Sequence, residues 1–174
     1  MYGTAGEKWL DTLPDIITKL ASAHGLTNLK PVENLSCNYI LTGYRGKQAV
    51  ILKLGFDIEG LHREQAALEA FSGYGAVKIL VAEQGMLLLE RALSGDSLKS
   101  LFPSKDKEAI EITCEIIKRL HTAPIPNNAT FPHLKDWLAI LDDNWEIPAI
   151  HLAKARQINV ELLTSSVKSI LLHG

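Results

Sequence analysis

Residues 49–54, Ala-Val-Ile-Leu-Lys-Leu (AVILKL), place one ammonium group in a run whose every other side chain is apolar. A run of that kind reads as a strand covered on both faces, so Lys53 needs a partner. In the segment that follows, IEGLHREQAALEAF (58–71), Leu61, Glu64, Leu68 and Phe71 are spaced three, four and three residues apart. That spacing predicts a helix with Glu64 on the stripe that docks against the sheet, so Glu64 needs a partner too. Mutual pairing resolves both, since breaking a buried ion pair typically costs about 3–5 kcal/mol. The alternative open to spacing alone is that Lys53 snorkels to solvent at a strand end while Glu64 lies at the edge of its stripe.

The surrounding chain supplies a context for these two charges. Upstream, PDIITKLASAHG has Ile17, Leu20 and Ala21 at helical spacing, with Pro14 suited to a first turn and Gly25 to a C-terminal cap. LKPVENLS, NYILTGY and QAVILKL then predict three antiparallel strands, with the glycine of YRGK turning the second hairpin. Asp57 is the predicted N-cap of the Glu64 helix. AVKILVAE, the turn QG and MLLLER predict another hairpin. The linker ALSGDS follows, with Ser94 and Asp96 as possible caps and Gly95 as a bend. Beyond it the pattern is mostly helical: KDKEAIEITCEIIKRLHT repeats Ile110, Cys114, Ile117 and Leu120 down one face, and Pro124 ends it. LKDWLAILDD and AIHLAKARQINVELLTSS are further amphipathic segments, and KSILLHG reads as a return to strand. The expected fold is α+β, with residues 1–91 forming a β-rich lobe, 92–96 a hinge and 97–174 a helical lobe.

Composition narrows the function classes. With 174 residues, 47% of them hydrophobic, the chain is expected to fold as a globular protein. Eighteen basic against twenty acidic residues, a net charge of −2 and no basic block give little support to nucleic acid as a partner. Cys37 and Cys114 lack CxxC spacing, which argues against a structural zinc site and fits a reducing compartment. The leading MYGTAGEKWL has neither a basic nor an apolar signal region, and no apolar run approaches membrane-spanning length, so the expectation is a cytoplasmic protein without a membrane partner.

A strand lysine, a helix glutamate, a hairpin ending in an apolar strand, a short linker and a helical region together describe a protein-kinase-like architecture. Within it, VILKLG, REQAALEAF, LLLERALSGDSL and RLHTAPIP resemble the bacterial aminoglycoside and hydroxyurea antibiotic-resistance kinases, the streptomycin phosphotransferase group. The resemblance implies a five-stranded antiparallel N-lobe sheet and an incomplete helical C-lobe, with ATP and Mg²⁺ as cofactors. It implies that Lys53 holds nucleotide phosphates and that Glu64 orients it. Ser36, Cys37 and Asn38 occupy the place of the phosphate-covering loop, without the glycine-rich pattern of protein kinases, and an ordinary turn remains open there. Glu90, Arg91 and Ala92 take the place of the adenine-contacting hinge. In that family LLHG leads into the catalytic loop, so the resemblance places the general-base aspartate and the metal ligands after Gly174. No catalytic or metal-binding residue is therefore expected within the chain, which alone should be inactive. The acceptor expected is a hydroxyl of an aminoglycoside-type molecule, with choline or a fructosamine as alternatives.

Other residues favour ordinary roles. His121 closes a helix, where it can meet the C-terminal dipole; His62 is expected to be exposed; His173 and Gly174 are read as a strand end. The acidic residues Asp142, Asp143 and Glu146 could face a cationic substrate, or simply form a solvated loop. Uncovered apolar helix faces suggest a possible homodimer through the helical lobe.

Overall fold

The computed structural model describes residues 2–33, 37–127, 131–165 and 168–172. A helix, α1 (Gly3–His24), leads into β1 (Leu26–Pro31), β2 (Asn38–Arg45) and β3 (Gln48–Gly55); helix α2 (Ile58–Ala70) separates these from β4 (Ile79–Glu83) and β5 (Met86–Glu90). The five strands form one antiparallel sheet in the order β1-β2-β3-β5-β4. α3 (Asp106–Leu120), α4 (Leu134–Leu138) and α5 (Ala149–Ser165) follow, with short 3-10 turns at Leu98–Leu101 and Ala139–Asp142.

The predicted punctuation is where the chain turns. Gly25 ends α1 in the left-handed region at φ 65°, and Gly46 turns the β2–β3 hairpin at φ 60°. Asp57 caps α2 by accepting the Gly60 N–H at 2.9 Å. The period-two burial of β3 then splits its side chains between two helices. Val50, Leu52 and Leu54 join Leu13, Leu26, Leu41, Met86 and Leu88 in a core that Trp9, Ile16 and Leu20 of α1 cover. Ile51 faces the other way, packing with Leu61 of α2 and with Leu87 and Leu89 of β5. The sheet is thus sandwiched between α1 and α2, as the apolar run in β3 requires.

Four expectations need correction. Pro14 lies inside α1, which begins at Gly3; packing of Trp9 and Leu13 on the sheet holds an amino-terminal stretch that glycine-rich local sequence disfavours. After the linker it is Ser97 that caps, accepting the Lys99 N–H, while Ser94 and Asp96 bond to each other. On α3 the buried residue is Ala109, and Ile110 and Cys114 are exposed. Residues 169–172 are not a strand: Leu171 is buried against Phe71 and Ala123 from an irregular segment. His173 and Gly174 lie outside the described residues.

Candidate functional site

The register of β3 determines where its lysine goes. Lys53 lies opposite Ile40 of β2 and Leu87 of β5, on the sheet face that α2 covers. Leu61, one turn before Glu64, is buried against that face, and Leu68, one turn after, packs there too. Those two contacts fix the rotation of α2 and carry the Glu64 carboxylate over β3. The Lys53 Nζ donates to Glu64 Oε1 at 2.7 Å and to Oε2 at 2.6 Å. The side chains keep 16% and 32% of their exposure, respectively. The structure therefore decides between the two readings of the spacing: the charges pair, and the pair stays open to solvent on one side. An ammonium has three donors. Two go to Glu64, which leaves the third for an acceptor in the opening, such as a phosphate oxygen.

The end of the strand is equally constrained. Asn38, the first residue of β2, pairs with Gly55. A Cβ on Gly55 would fall 2.6 Å from Asn38 Oδ1 and 2.7 Å from Leu61 Cδ1, so only glycine lets α2 approach this closely. Cys37, just before Asn38, is exposed. Ser36, the third residue expected to cover phosphates, lies outside the described residues. At the far end of the sheet Glu90 closes β5, and Arg91 and Ala92 follow it exposed. The structure brings Asn38 and Lys53 to neighbouring positions on one face, whereas Glu90, three residues along the β5 ladder from the partner of Lys53, ends the strand at the linker.

Sequence reasoning missed two contacts. The Glu90 carboxylate accepts the Lys78 N–H at 2.8 Å; nothing in local spacing marks a bond between residues twelve apart. Arg156 of α5 donates to the backbone carbonyls of Leu141, Asp142 and Asp143. It thereby ties α5 to the exposed acidic loop. His62 is exposed, and His121 is the C-cap of α3, as expected. Among the described residues no group of three His, Cys, Asp or Glu side chains could hold a metal ion. The donors among the described residues therefore do not fit Mg²⁺. No described helix is long and apolar enough to cross a membrane.

Comparison with known proteins places this arrangement. The family model for aminoglycoside/hydroxyurea antibiotic resistance kinases matches residues 27–174. Streptomycin 3''-kinase of Klebsiella pneumoniae is 29% identical over 142 residues, which are 79% of this chain and 51% of that protein. The chain thus spans about half the length of the curated relative it matches. Among solved structures, a choline/ethanolamine kinase family protein from Mesorhizobium loti superposes with a TM-score of 0.59 at 17% identity, covering 89% of this chain and 55% of that one. A thermostable mutant of aminoglycoside phosphotransferase APH(4)-Ia, in ternary complex with ADP and hygromycin B, gives a TM-score of 0.53 at 13% identity, covering 72% and 49%. These likenesses establish the fold as α+β and protein-kinase-like.

Proposed function

The chain belongs to the aminoglycoside/hydroxyurea antibiotic resistance kinase family, and from that premise we propose that it is the nucleotide-holding part of an ATP-dependent phosphotransferase. The acceptor is a hydroxyl group of an aminoglycoside-type small molecule. One observation carries the reading: an ammonium held by both oxygens of a helix carboxylate, partly screened from water, with a donor to spare. Phosphoryl transfer asks the protein mainly for positioning and charge neutralisation. Lys53 supplies the charge, and Glu64 fixes where it stands. The backbone N–H groups of Ser36, Cys37 and Asn38 cover the phosphates, and backbone groups of Glu90, Arg91 and Ala92 meet the base. Residues 1–91 act as the nucleotide lobe, 92–96 as the hinge and 97–174 as part of the second lobe.

In the reaction the γ-phosphorus forms a bond to the acceptor oxygen, its bond to the β-phosphate oxygen breaks, and the acceptor hydroxyl gives up its proton to a base. The acceptor class draws support from the streptomycin kinase relative and from the neighbour that binds hygromycin B; choline is the alternative that the choline/ethanolamine kinase family neighbour supports.

A second reading has its own observation. Trp137, Ile150 and Val160, on the helices after the hinge, are 70%, 74% and 61% exposed, and exposed apolar surface of this kind promotes association. In that reading the chain pairs with a second copy and performs no transfer.

A thermal-shift titration with ATP, with and without Mg²⁺, run beside light scattering over a concentration series, separates the two. A saturating rise in Tm supports the kinase reading; ATP at a hundred times its Kd stabilises the fold by about 2.7 kcal/mol. A flat Tm in a folded sample whose mass grows with concentration supports self-association. A flat Tm in a strict monomer contradicts both.

A further inference from the structure

The end of β5 carries a hydrogen-bond exchange that a regular ladder lacks. The Glu90 N–H donates to the Lys78 carbonyl at 2.9 Å. In a closely spaced antiparallel pair the Lys78 N–H would return a bond to the Glu90 carbonyl. It donates instead to the Glu90 side chain, at Oε1, 2.8 Å away. On the other edge of β5 the Arg91 N–H donates to the Ala49 carbonyl at 3.2 Å. Glu90, opposite Val50, therefore directs its own backbone groups away from β3 and toward Lys78. The Glu90 carboxylate has taken the donor that its own carbonyl would otherwise hold.

We propose that the Glu90 side chain is a positioning residue for the purine base: by occupying the Lys78 N–H, it keeps the Glu90 carbonyl available to accept from the 6-amino group of adenine. The inference rests on the nucleotide reading above and adds selectivity to it. A carbonyl in that position attracts an amino group and opposes the 6-oxo group of hypoxanthine or guanine, because two acceptors then face each other. Remove the carboxylate, and the Glu90 carbonyl closes the ladder onto Lys78 and is lost to the base.

The test compares ATP with inosine triphosphate, which differs at the purine edge in question, by calorimetric titration of the whole chain. Wild type should prefer ATP roughly tenfold, about the worth of one hydrogen bond. Glu90→Ala should bring the ratio close to one, chiefly by weakening ATP. Glu90→Gln, whose amide oxygen still accepts from Lys78, should keep the preference. Adding Lys78→Pro to Glu90→Ala removes the competing N–H at a position just outside the strand, where proline is tolerated, and should restore the preference for ATP. A purely structural role for Glu90 would lower stability in Glu90→Ala without moving the ratio. A wild type that binds neither nucleotide contradicts the nucleotide reading itself. A wild type without preference, or a Glu90→Ala variant that keeps it, overturns this inference alone.

Discussion

Lys53→Ala should remove about half or more of the ATP-dependent rise in Tm at a given ATP concentration, and Glu64→Ala should reduce that rise while also weakening the fold. The two effects differ in kind. Alanine at 53 removes the ammonium that meets phosphate, and a hydrogen bond between charged groups contributes about 1.5–3 kcal/mol, so the Kd should rise roughly tenfold to hundredfold. Alanine at 64 leaves the ammonium in place but strips both acceptors from it. A fully buried ion pair loses about 3–5 kcal/mol when one member goes. With Glu64 about one-third exposed, water screens the orphaned charge, and about 1–2 kcal/mol is the expected loss. Glu64→Gln should fall between wild type and alanine, because the amide oxygen can still accept one bond. Equal ATP responses in wild type and Lys53→Ala, measured by thermal shift at the same ATP concentrations, would assign the pair to structure alone.

Leu87→Ala should give a large loss of stability. Leu87 lies opposite Lys53 in the sheet and is 1% exposed, packed with Leu61 and Leu89. Truncating a buried leucine removes transfer energy and leaves a cavity, together about 2–5 kcal/mol. For a domain of this size about 3 kcal/mol corresponds to a fall in Tm of about 6–12 °C. The cavity would open beneath α2, so the ATP response should weaken as well, more than for an equally destabilising truncation on the α1 face such as Leu52→Ala. Urea denaturation of the two variants, each followed by ATP titration, checks both halves. Equal ATP responses would mean that the packing under α2 does not position Glu64.

What made the site legible was contradiction in the local pattern. A lysine in AVILKL and a glutamate on an apolar stripe each break the rule of their element, and the two breaks resolve in one contact. The hairpins and caps were legible for a similar reason: Gly25, Gly46 and Asp57 each meet a specific backbone demand. The misreadings occurred where tertiary packing overrode local signals. The start of α1 depends on Trp9 and Leu13 reaching the sheet, and Pro14 is accommodated within it. The buried face of α3 is set by Ala109, whose small side chain carries little weight in a periodicity count beside Ile110. In residues 169–172 the apolar character was real, since Leu171 is buried, but burial beside Phe71 requires no strand. The bond from Lys78 to Glu90 joins two segments across a hairpin, so no linear pattern announces it.

The most direct test of the central claim is chemical labelling with an acyl phosphate of ATP, which delivers its acyl group to an amine lying beside the triphosphate. After digestion, mass spectrometry should find the acyl group on Lys53, and an excess of unmodified ATP should suppress it. Labelling confined to the exposed lysines, or labelling of Lys53 that ATP leaves unchanged, would contradict the assignment of this lysine to the nucleotide phosphates.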